Sequence, residues 1–205
     1  MIGLINYGGG NYKSVSNALE YLNIDYLEIN SHHNLKKVSH IILPGVGVYN
    51  DLISTLKSMN IIEELIYHIA DKKKFYLGIC VGMQILSEYG LENNKTKGLN
   101  LIKGKVEKIP VEKEALPNIG WHNIILEKKN SLLFKNIDDK EMLFYFVHSY
   151  YFNLDQQEDC SSSIYYEKKI TASVEKDNIF GVQFHPEKSQ AGGLKILKNF
   201  CNLWL

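Results

Sequence analysis

The sequence predicts an α/β protein with a central, mostly parallel β-sheet flanked by helices and a second half rich in β-strands. Through the first half, short apolar runs alternate with amphipathic stretches, which is typical of βαβ units. The runs at 41–43 and 75–79 are apolar on both faces, as expected for central strands covered on both sides. From about residue 99, strand-like segments follow one another closely, with turn residues between them.

The predicted elements can be placed in order along the chain. In the first half they are the segments IGLINY, SVSNALEYL, DYLEI, HIILPG, LISTLKSMNIIEELIYHIA, FYLGIC and GMQILSEY. In the second half the strands are LIKGKVEKI, WHNIILE, LFYFVHSYYF, SIYYE, ITASVEK and IFGVQFH. A final amphipathic helix is predicted from the near-helical spacing of Leu194, Leu197, Phe200, Cys201 and Leu205.

Size and charge limit what the chain can be. Its 205 residues suit a single domain, spanning 1–205, and 45% hydrophobic with 22% charged residues is an ordinary globular composition. The 23 basic and 23 acidic side chains cancel, so no net field is available to attract phosphate backbones or anionic lipids. We therefore expect neither nucleic acid nor a membrane as a partner.

The cysteines and the apolar runs indicate where the protein works. Cys80, Cys160 and Cys201 lie far apart and leave one thiol unpaired, which favours a reducing compartment over a disulfide framework. The first ten residues lack the features of a signal peptide, and no apolar run approaches the ~20 residues that span a bilayer. The prediction is a cytoplasmic protein.

One candidate nucleophile lies in the segment Gly78-Ile79-Cys80-Val81-Gly82, between a buried strand and a helical pattern. This is the cysteine version of the G-x-S-x-G nucleophile elbow, in which the glycines permit a tight, strained turn. A helix beginning there would favour the thiolate of Cys80. The backbone N–H of Val81 would then point toward an oxyanion. By itself the motif is also compatible with a buried structural cysteine.

A candidate base follows the last predicted strand, where His185, Pro186 and Glu187 occur in succession. The strand end and the proline would hold the imidazole rigidly, and the carboxylate would fix its tautomer. Cys80, His185 and Glu187 therefore form a predicted catalytic triad.

The segment Pro44-Gly45-Val46-Gly47 ends another apolar strand. In isolation it reads as a simple turn. At the carboxyl edge of a parallel sheet, however, Val46 and Gly47 could place a backbone N–H opposite the elbow as the second oxyanion donor. A flip of one peptide would switch that donor on or off.

Other motifs predict nothing further. The GGGN segment at 8–11 lacks the third glycine of a dinucleotide fingerprint, because Lys13 occupies that place. His32 and His33 have no Cys or carboxylate at ligand spacing, so no metal site is predicted. The predicted chemistry needs no cofactor.

Together, PGVG at 44–47, GICVGMQ at 78–84 and HPE at 185–187 resemble the class I glutamine amidotransferases, which have a flavodoxin-like fold. Within that class the segments NYGGGNYKSV, PNIGW, YFVHSYY and GVQFHPEKSQ are most similar to the glutaminase subunits of imidazole glycerol phosphate synthases. The resemblance runs from residue 2 to about residue 200. It implies a heterodimer in which glutamine is hydrolysed and the ammonia passes to a cyclase partner of histidine biosynthesis.

The resemblance also implies roles for individual residues. Gln84 would contact the substrate glutamine, and the backbone of His148, Ser149 and Tyr150 would hold its amino-acid end. Three further positions match the family's interface with the synthase: Asn11, Trp121 and Lys188.

One departure leaves alternatives open. The family usually reads P-H-[IM]-G-W-N where this chain has Asn118 and His122 in the places of His and Asn. Since this segment faces the partner in the family, a paralogue that supplies ammonia to a sugar-amidating enzyme of glycan biosynthesis is one alternative. A catalytically silent binding module and a peptidase-like hydrolase are two others. Both are disfavoured by the joint presence of Cys80, Gln84 and the His185-Glu187 pair.

Overall fold

The computed structural model describes residues 1–204. The elements of its first half are β1 (Ile2–Ile5), α1 (Tyr12–Tyr21), β2 (Tyr26–Ile29), β3 (His40–Gly45), α2 (Tyr49–Ser58), α3 (Ile62–Ala70), β4 (Phe75–Cys80), α4 (Val81–Gln84), β5 (Tyr89–Gly90) and β6 (Thr96–Lys97). Those of its second half are β7 (Gly104–Lys108), β8 (Asn118–Asn123), β9 (Ile125–Leu126), β10 (Leu143–His148), β11 (Tyr150–Leu154), β12 (Cys160–Tyr166), β13 (Lys168–Lys176), β14 (Ile179–Val182) and α5 (Gln190–Cys201). Short 3-10 helices lie at His32–Lys37, Asp139–Glu141, Gln157–Asp159 and Pro186–Lys188.

The main sheet has eight strands in the order β2-β1-β3-β4-β14-β13-β12-β9. Neighbours from β2 to β14 are parallel, whereas those from β14 to β9 are antiparallel. Every residue of β3 and β4 is buried, which confirms the prediction of two central strands. The α/β architecture and the β-rich second half are likewise confirmed.

Two smaller sheets complete the fold, with strand orders β11-β7-β5-β6 and β10-β8. In the β8–β10 pair, Trp121 lies opposite Tyr145 and Asn118 opposite His148. Side chains alternate across this ribbon, so Asn118 and His148 are buried while Trp121 is 41% exposed. The ribbon therefore has an inner face and an outer face.

The helix predicted over GMQILSEY is shorter than expected, because α4 ends at Gln84. The N–H of Leu99 donates to the carbonyl of Ile85 at 2.7 Å, and that of Leu101 to the carbonyl of Leu86 at 2.9 Å. These carbonyls pair with a distant segment, so α4 cannot continue. The prediction failed because periodicity does not reveal a long-range backbone partner.

The long predicted helix at 52–70 is divided into α2 and α3 at Asn60, whose φ is 52°. The terminal helix α5 is confirmed: Phe200 packs against Phe180 and, edge to face, against His40. Cys201 lies at its last position, and Leu205, which was assigned to the same helix, lies outside the described residues.

The register brings three strand ends to one edge of the sheet. Gly45, at the end of β3, lies beside Cys80, at the end of β4. On the other side Ile79 lies beside Val182, at the end of β14. Since these strands are parallel, the segments that follow them meet at this edge, where α/β sheets commonly bind ligands.

Candidate active site

Cys80 occupies a strained turn between β4 and α4. Its φ and ψ are 54° and −114°, a conformation that a residue with a side chain rarely adopts. A Cβ on Gly78 would lie 2.2 Å from the carbonyl oxygen of Gly82, and one on Gly82 would lie 2.1 Å from that of Leu43. Both glycines are therefore required for the turn. Because α4 is only four residues long, its dipole adds little to the field at the sulfur.

His185 is fixed from several sides. Its backbone N–H donates to the carbonyl of Tyr145 at 2.9 Å, and the hydroxyl of Ser189 donates to its carbonyl at 2.6 Å. Its ring Nδ1 lies 2.8 Å from Glu187 Oε1, and both side chains are almost completely buried. Since a carboxylate accepts the Nδ1 proton, Nε2 faces the cavity, and it has no hydrogen-bond partner among residues 1–204.

The charge state of His185 depends on its two neighbours. Burial opposes protonation of the ring, but Cys80 and Glu187 outweigh it and raise the pKa of His185 to about 10. The imidazole is therefore protonated beside the sulfur at neutral pH. This arrangement places a positively charged imidazole next to the sulfur of the predicted nucleophile.

Cys80 and His185 open into one cavity of about 140 Å³. Its lining contains all the predicted oxyanion and substrate-binding residues: Val46, Gly47, Val81, Gln84, His148, Ser149 and Tyr150. Glu92 and Val147 also line the cavity. Residues that are far apart in sequence thus surround the sulfur of Cys80.

Gln84 is buried and its side-chain amide is held by two acceptors. Nε2 donates to the carbonyl of Tyr150 at 3.0 Å and to Gln183 Oε1 at 2.9 Å. Oε1 of Gln84 is then the atom of the amide left for a ligand.

Gln183 was missed by the sequence analysis. Its Nε2 donates to Cys80 Sγ at 3.5 Å, so it can stabilise negative charge on the sulfur. The available signal was one amide side chain in the otherwise apolar run FGVQF.

Glu92 was also missed. Its carboxylate accepts a hydrogen bond from the N–H of Tyr49, the first residue of α2, at 2.9 Å. Burial raises its pKa, and it lines the cavity close to Gln84 and Tyr150. A carboxylate at this place can bind an ammonium group. Nothing in the segment LENNK sets this residue apart from an ordinary surface glutamate.

The predicted oxyanion loop contacts Tyr7. The N–H of Val46 donates to the hydroxyl of Tyr7 at 3.4 Å, and Gly47 has a φ of 93°. The ring of Tyr7 leaves no room for a side chain at Gly10, where a Cβ would lie 2.4 Å from the Tyr7 oxygen. In this conformation the Val46 N–H is therefore occupied by a protein acceptor.

The three predicted interface residues lie around the triad. Asn11 Nδ2 donates to Glu187 Oε1, the same oxygen that accepts from His185. The ammonium of Lys188 lies 5.9 Å from the ring centroid of Tyr145, and Trp121 packs edge to face on that ring at 5.8 Å. One of the three thus contacts Glu187, the carboxylate of the predicted triad, directly.

Residues 1–204 hold neither the side chains of a metal site nor a helix that could cross a membrane. No group of three or more His, Cys, Asp or Glu side chains has the arrangement of a metal site. None of the described helices has the length and apolar character needed to cross a membrane.

Comparison with known proteins agrees with this geometry. The family model described as "Glutamine amidotransferase class-I" matches residues 4–203. The "Imidazole glycerol phosphate synthase subunit HisH" of Caldanaerobacter subterraneus subsp. tengcongensis is 42% identical, over 98% of this chain and 97% of the relative. The protein of the same name from Desulfitobacterium hafniense is 44% identical, over 98% and 93%.

A solved structure supports the fold independently. The structure of PurLQS from Thermotoga maritima matches with a TM-score of 0.75 and 20% identity, covering 98% of this chain and 97% of that one. At this identity the match concerns the fold alone. Taken with the full-length family match, it leads to one conclusion: the chain belongs to the class I glutamine amidotransferases.

Proposed function

We propose that this chain is the glutaminase subunit of an imidazole glycerol phosphate synthase. It hydrolyses glutamine to glutamate and ammonia, and the ammonia passes to a cyclase subunit that makes imidazole glycerol phosphate and AICAR in histidine biosynthesis. The observation that carries the proposal is that Cys80 and His185 line one cavity while His185 is paired with Glu187 behind it, in a chain whose relatives bear that name.

Acylation is the first step. The Cys80 thiolate attacks the side-chain carbonyl carbon of glutamine, a carbon–sulfur bond forms, and the carbonyl oxygen becomes an oxyanion. The backbone N–H of Val81 and a donor from Val46–Gly47 stabilise that oxyanion. As the carbon–nitrogen bond breaks, His185 gives the proton on Nε2 to the departing nitrogen, and ammonia leaves. His185 therefore acts first as an acid.

Hydrolysis of the thioester is the second step. Once Cys80 is acylated it carries no negative charge, so one of the two groups that raise the pKa of His185 is gone. The neutral imidazole can then take a proton from water, which attacks the thioester and releases glutamate. The carbon–sulfur bond breaks as glutamate leaves, which frees Cys80. The proton that His185 has taken from water restores the imidazolium, so both groups are back in their starting state.

Recognition of glutamine rests on groups lining the same cavity. Glu92 is suited to bind the α-ammonium group, and Oε1 of Gln84 accepts from a substrate N–H. The backbone of Ser149 and Tyr150 lies where it can hold the α-carboxylate end. A neutral or acidic analogue without the ammonium group should therefore bind weakly.

The outer face of the β8–β10 ribbon is suited to bind the cyclase. Ile119, Trp121 and Leu143 are 60%, 41% and 39% exposed, and Lys188 lies at the edge of this face over Tyr145. Exposed apolar side chains with a neighbouring charge are typical of a protein interface. The face lies next to Val147, which lines the cavity, so ammonia could pass directly to the partner.

The atypical segment gives no support to a different partner. Asn118 and His122 lie on the inner face of β8, and they contact each other through His122 Nε2 and Asn118 Oδ1 at 2.7 Å. The outer face keeps Trp121. The positions of Asn118 and His122 therefore do not favour a sugar-amidating partner.

Two broader properties belong to the same proposal. One buried core runs through the described chain, which supports a single glutaminase domain. All three cysteines are free thiols, which supports a cytoplasmic enzyme.

Isotope transfer tests the function directly. The chain, a purified cyclase subunit and its acceptor are incubated with glutamine carrying ¹⁵N in the side-chain amide, in buffer containing excess unlabelled ammonium at low pH. We expect stoichiometric glutamate and ¹⁵N in the imidazole product with little dilution, because the ammonia is not released to solvent. Absence of glutamate with saturating cyclase and acceptor would refute the glutaminase.

A further inference from the structure

A row of three hydrogen bonds, of which the central one is buried, runs from half-buried His122 to the wall of the glutamine cavity. His122 Nε2 lies 2.7 Å from Asn118 Oδ1, and Asn118 Nδ2 lies 3.1 Å from His148 Nε2. His148 Nδ1 lies 2.9 Å from the carbonyl oxygen of Tyr150. None of these side chains except His148 lines the cavity.

The direction of each bond follows from the last one. A carbonyl oxygen only accepts, so Nδ1 of His148 carries the proton. Burial lowers the pKa of His148 to about 4, so the ring is neutral and its Nε2 is an acceptor. The amide nitrogen of Asn118 must then donate, and its oxygen accepts the Nε2 proton of His122. Every donor in the row has one acceptor.

The same carbonyl is reached from the catalytic side. Gln84 Nε2 donates to Tyr150 O and to Gln183 Oε1, and Gln183 Nε2 donates to Cys80 Sγ. The Tyr150 carbonyl thus accepts from two donors, Gln84 and His148. Removing one donor would free this carbonyl to move toward the other.

We propose that His122 and Asn118 are positioning residues for glutamine binding, which hold the Ser149–Tyr150 wall through His148. This inference rests on the proposed glutaminase function. The two residues act as a pair: an imidazole supplies one donor and one acceptor, and a carboxamide supplies two N–H donors and an acceptor oxygen, so either can accept from one neighbour and donate to the next. The order His–Asn and the order Asn–His can therefore both complete the row, which accounts for their exchange relative to the usual family pattern.

The first test removes one donor and keeps the packing. In His122→Phe the ring can still pack edge to face on Phe146 and Tyr166, but it has no N–H. Loss of one neutral hydrogen bond should raise KM for glutamine roughly three- to tenfold. The value of kcat should change less, because the wall binds substrate and transition state alike.

A matched control is Tyr166→Phe. Its hydroxyl donates to the carbonyl of Ala115 and takes no part in the row. This variant should keep the wild-type KM. Synthesis from added ammonium in the assembled complex should be unchanged in both variants, which verifies folding and assembly.

The second test is the paired exchange. Asn118→His and His122→Asn should each raise KM, because the row joins one long imidazole to one short carboxamide: two imidazoles would crowd the 2.7 Å contact, and two carboxamides would not span it. The double variant should recover most of the wild-type KM. Recovery is not expected if each residue merely fills space.

The outcomes separate the two proposals. If wild-type chain releases glutamate but His122→Phe has an unchanged KM, the positioning role is wrong and the glutaminase stands. Activity that falls in step with the melting temperature, without recovery in the double exchange, also overturns the positioning role. A wild-type complex that releases no glutamate rejects the function itself.

Discussion

At the scale of single residues, the three thiols differ in their surroundings. Burial raises the pKa of Cys160 to about 11 and that of Cys201 to about 12, so both are protonated at neutral pH. Cys80 faces an imidazolium and lines the cavity. A glutamine-like diazo ketone should therefore alkylate Cys80 selectively, as measured by peptide mass spectrometry. Dominant labelling of Cys201 would remove the case for a catalytic Cys80.

The contact between Tyr7 and Val46 can limit the rate of glutamine hydrolysis in the chain without its partner. While the Val46 N–H donates to the Tyr7 hydroxyl, it is not available to an oxyanion. Tyr7→Phe removes the acceptor, so the chain without its partner should hydrolyse glutamine about three- to tenfold faster, the effect of one hydrogen bond. The rate with saturating cyclase should change little. Equal basal rates in variant and wild type would show that this bond does not restrain the loop.

His148 should make stability depend on pH. Its pKa is lowered to about 4 by burial, whereas an unfolded histidine has a pKa of about 6.5. Between these values the unfolded chain binds a proton that the folded chain does not. The free energy of unfolding therefore falls as pH drops from 6.5 toward 4, and this contribution is fully present above about pH 6.5.

The size of that effect can be isolated with His148→Gln. Urea unfolding of wild type and variant is compared at pH 7 and pH 4.5, so that the other titrating groups cancel. The stability advantage of the wild type should shrink by about 2 to 3 kcal/mol at the lower pH. If the free energies of unfolding of wild type and variant changed equally with pH, His148 would have the same pKa in the folded and the unfolded chain.

Which residues could be predicted depends on how local their signal is. Cys80, His185 and Glu187 stand in short motifs whose spacing already indicates the chemistry. Gln183 and Glu92 reach the cavity only through the packing of strands and loops, and no local pattern marks them.

At the scale of elements, periodicity predicted the strands of the main sheet well but the extent of two helices poorly, since 52–70 forms two helices and α4 is short. β3 and β4 were predictable because strands covered on both sides are apolar throughout. The helix after Cys80 was predicted too long, since Ile85 and Leu86 give their carbonyls to Leu99 and Leu101. Such a pairing is a tertiary property that a local pattern does not contain.

The elbow itself should reduce stability. Holding Cys80 at a φ of 54° costs on the order of 1–3 kcal/mol, which glycine avoids. Cys80→Gly should therefore have a free energy of unfolding about 1–2 kcal/mol higher than Cys80→Ala, measured by urea unfolding, and both should be inactive. At an unstrained site the glycine variant would be the less stable of the two. A Cys80→Gly variant less stable than Cys80→Ala would therefore show that the backbone at Cys80 is not strained.

At the scale of the whole molecule, the site is assembled from both halves of the chain. The parallel half supplies the ends of β3 and β4, with the loop and the nucleophile. The β-rich half supplies the strand that carries His185 and the ribbon that forms the opposite wall. The alternation of strands and helices predicted the first half, whereas the contact between the halves depends on long-range packing.

In the proposed function, this chain makes ammonia and a separate subunit uses it. Replacing Cys80 by alanine separates these two steps. In the assembled complex with saturating acceptor, we expect Cys80→Ala to lower synthesis from glutamine by several orders of magnitude. Synthesis from added ammonium should remain at the wild-type rate. If the variant still made product from glutamine at the wild-type rate, Cys80 would not be the nucleophile and the account would be contradicted.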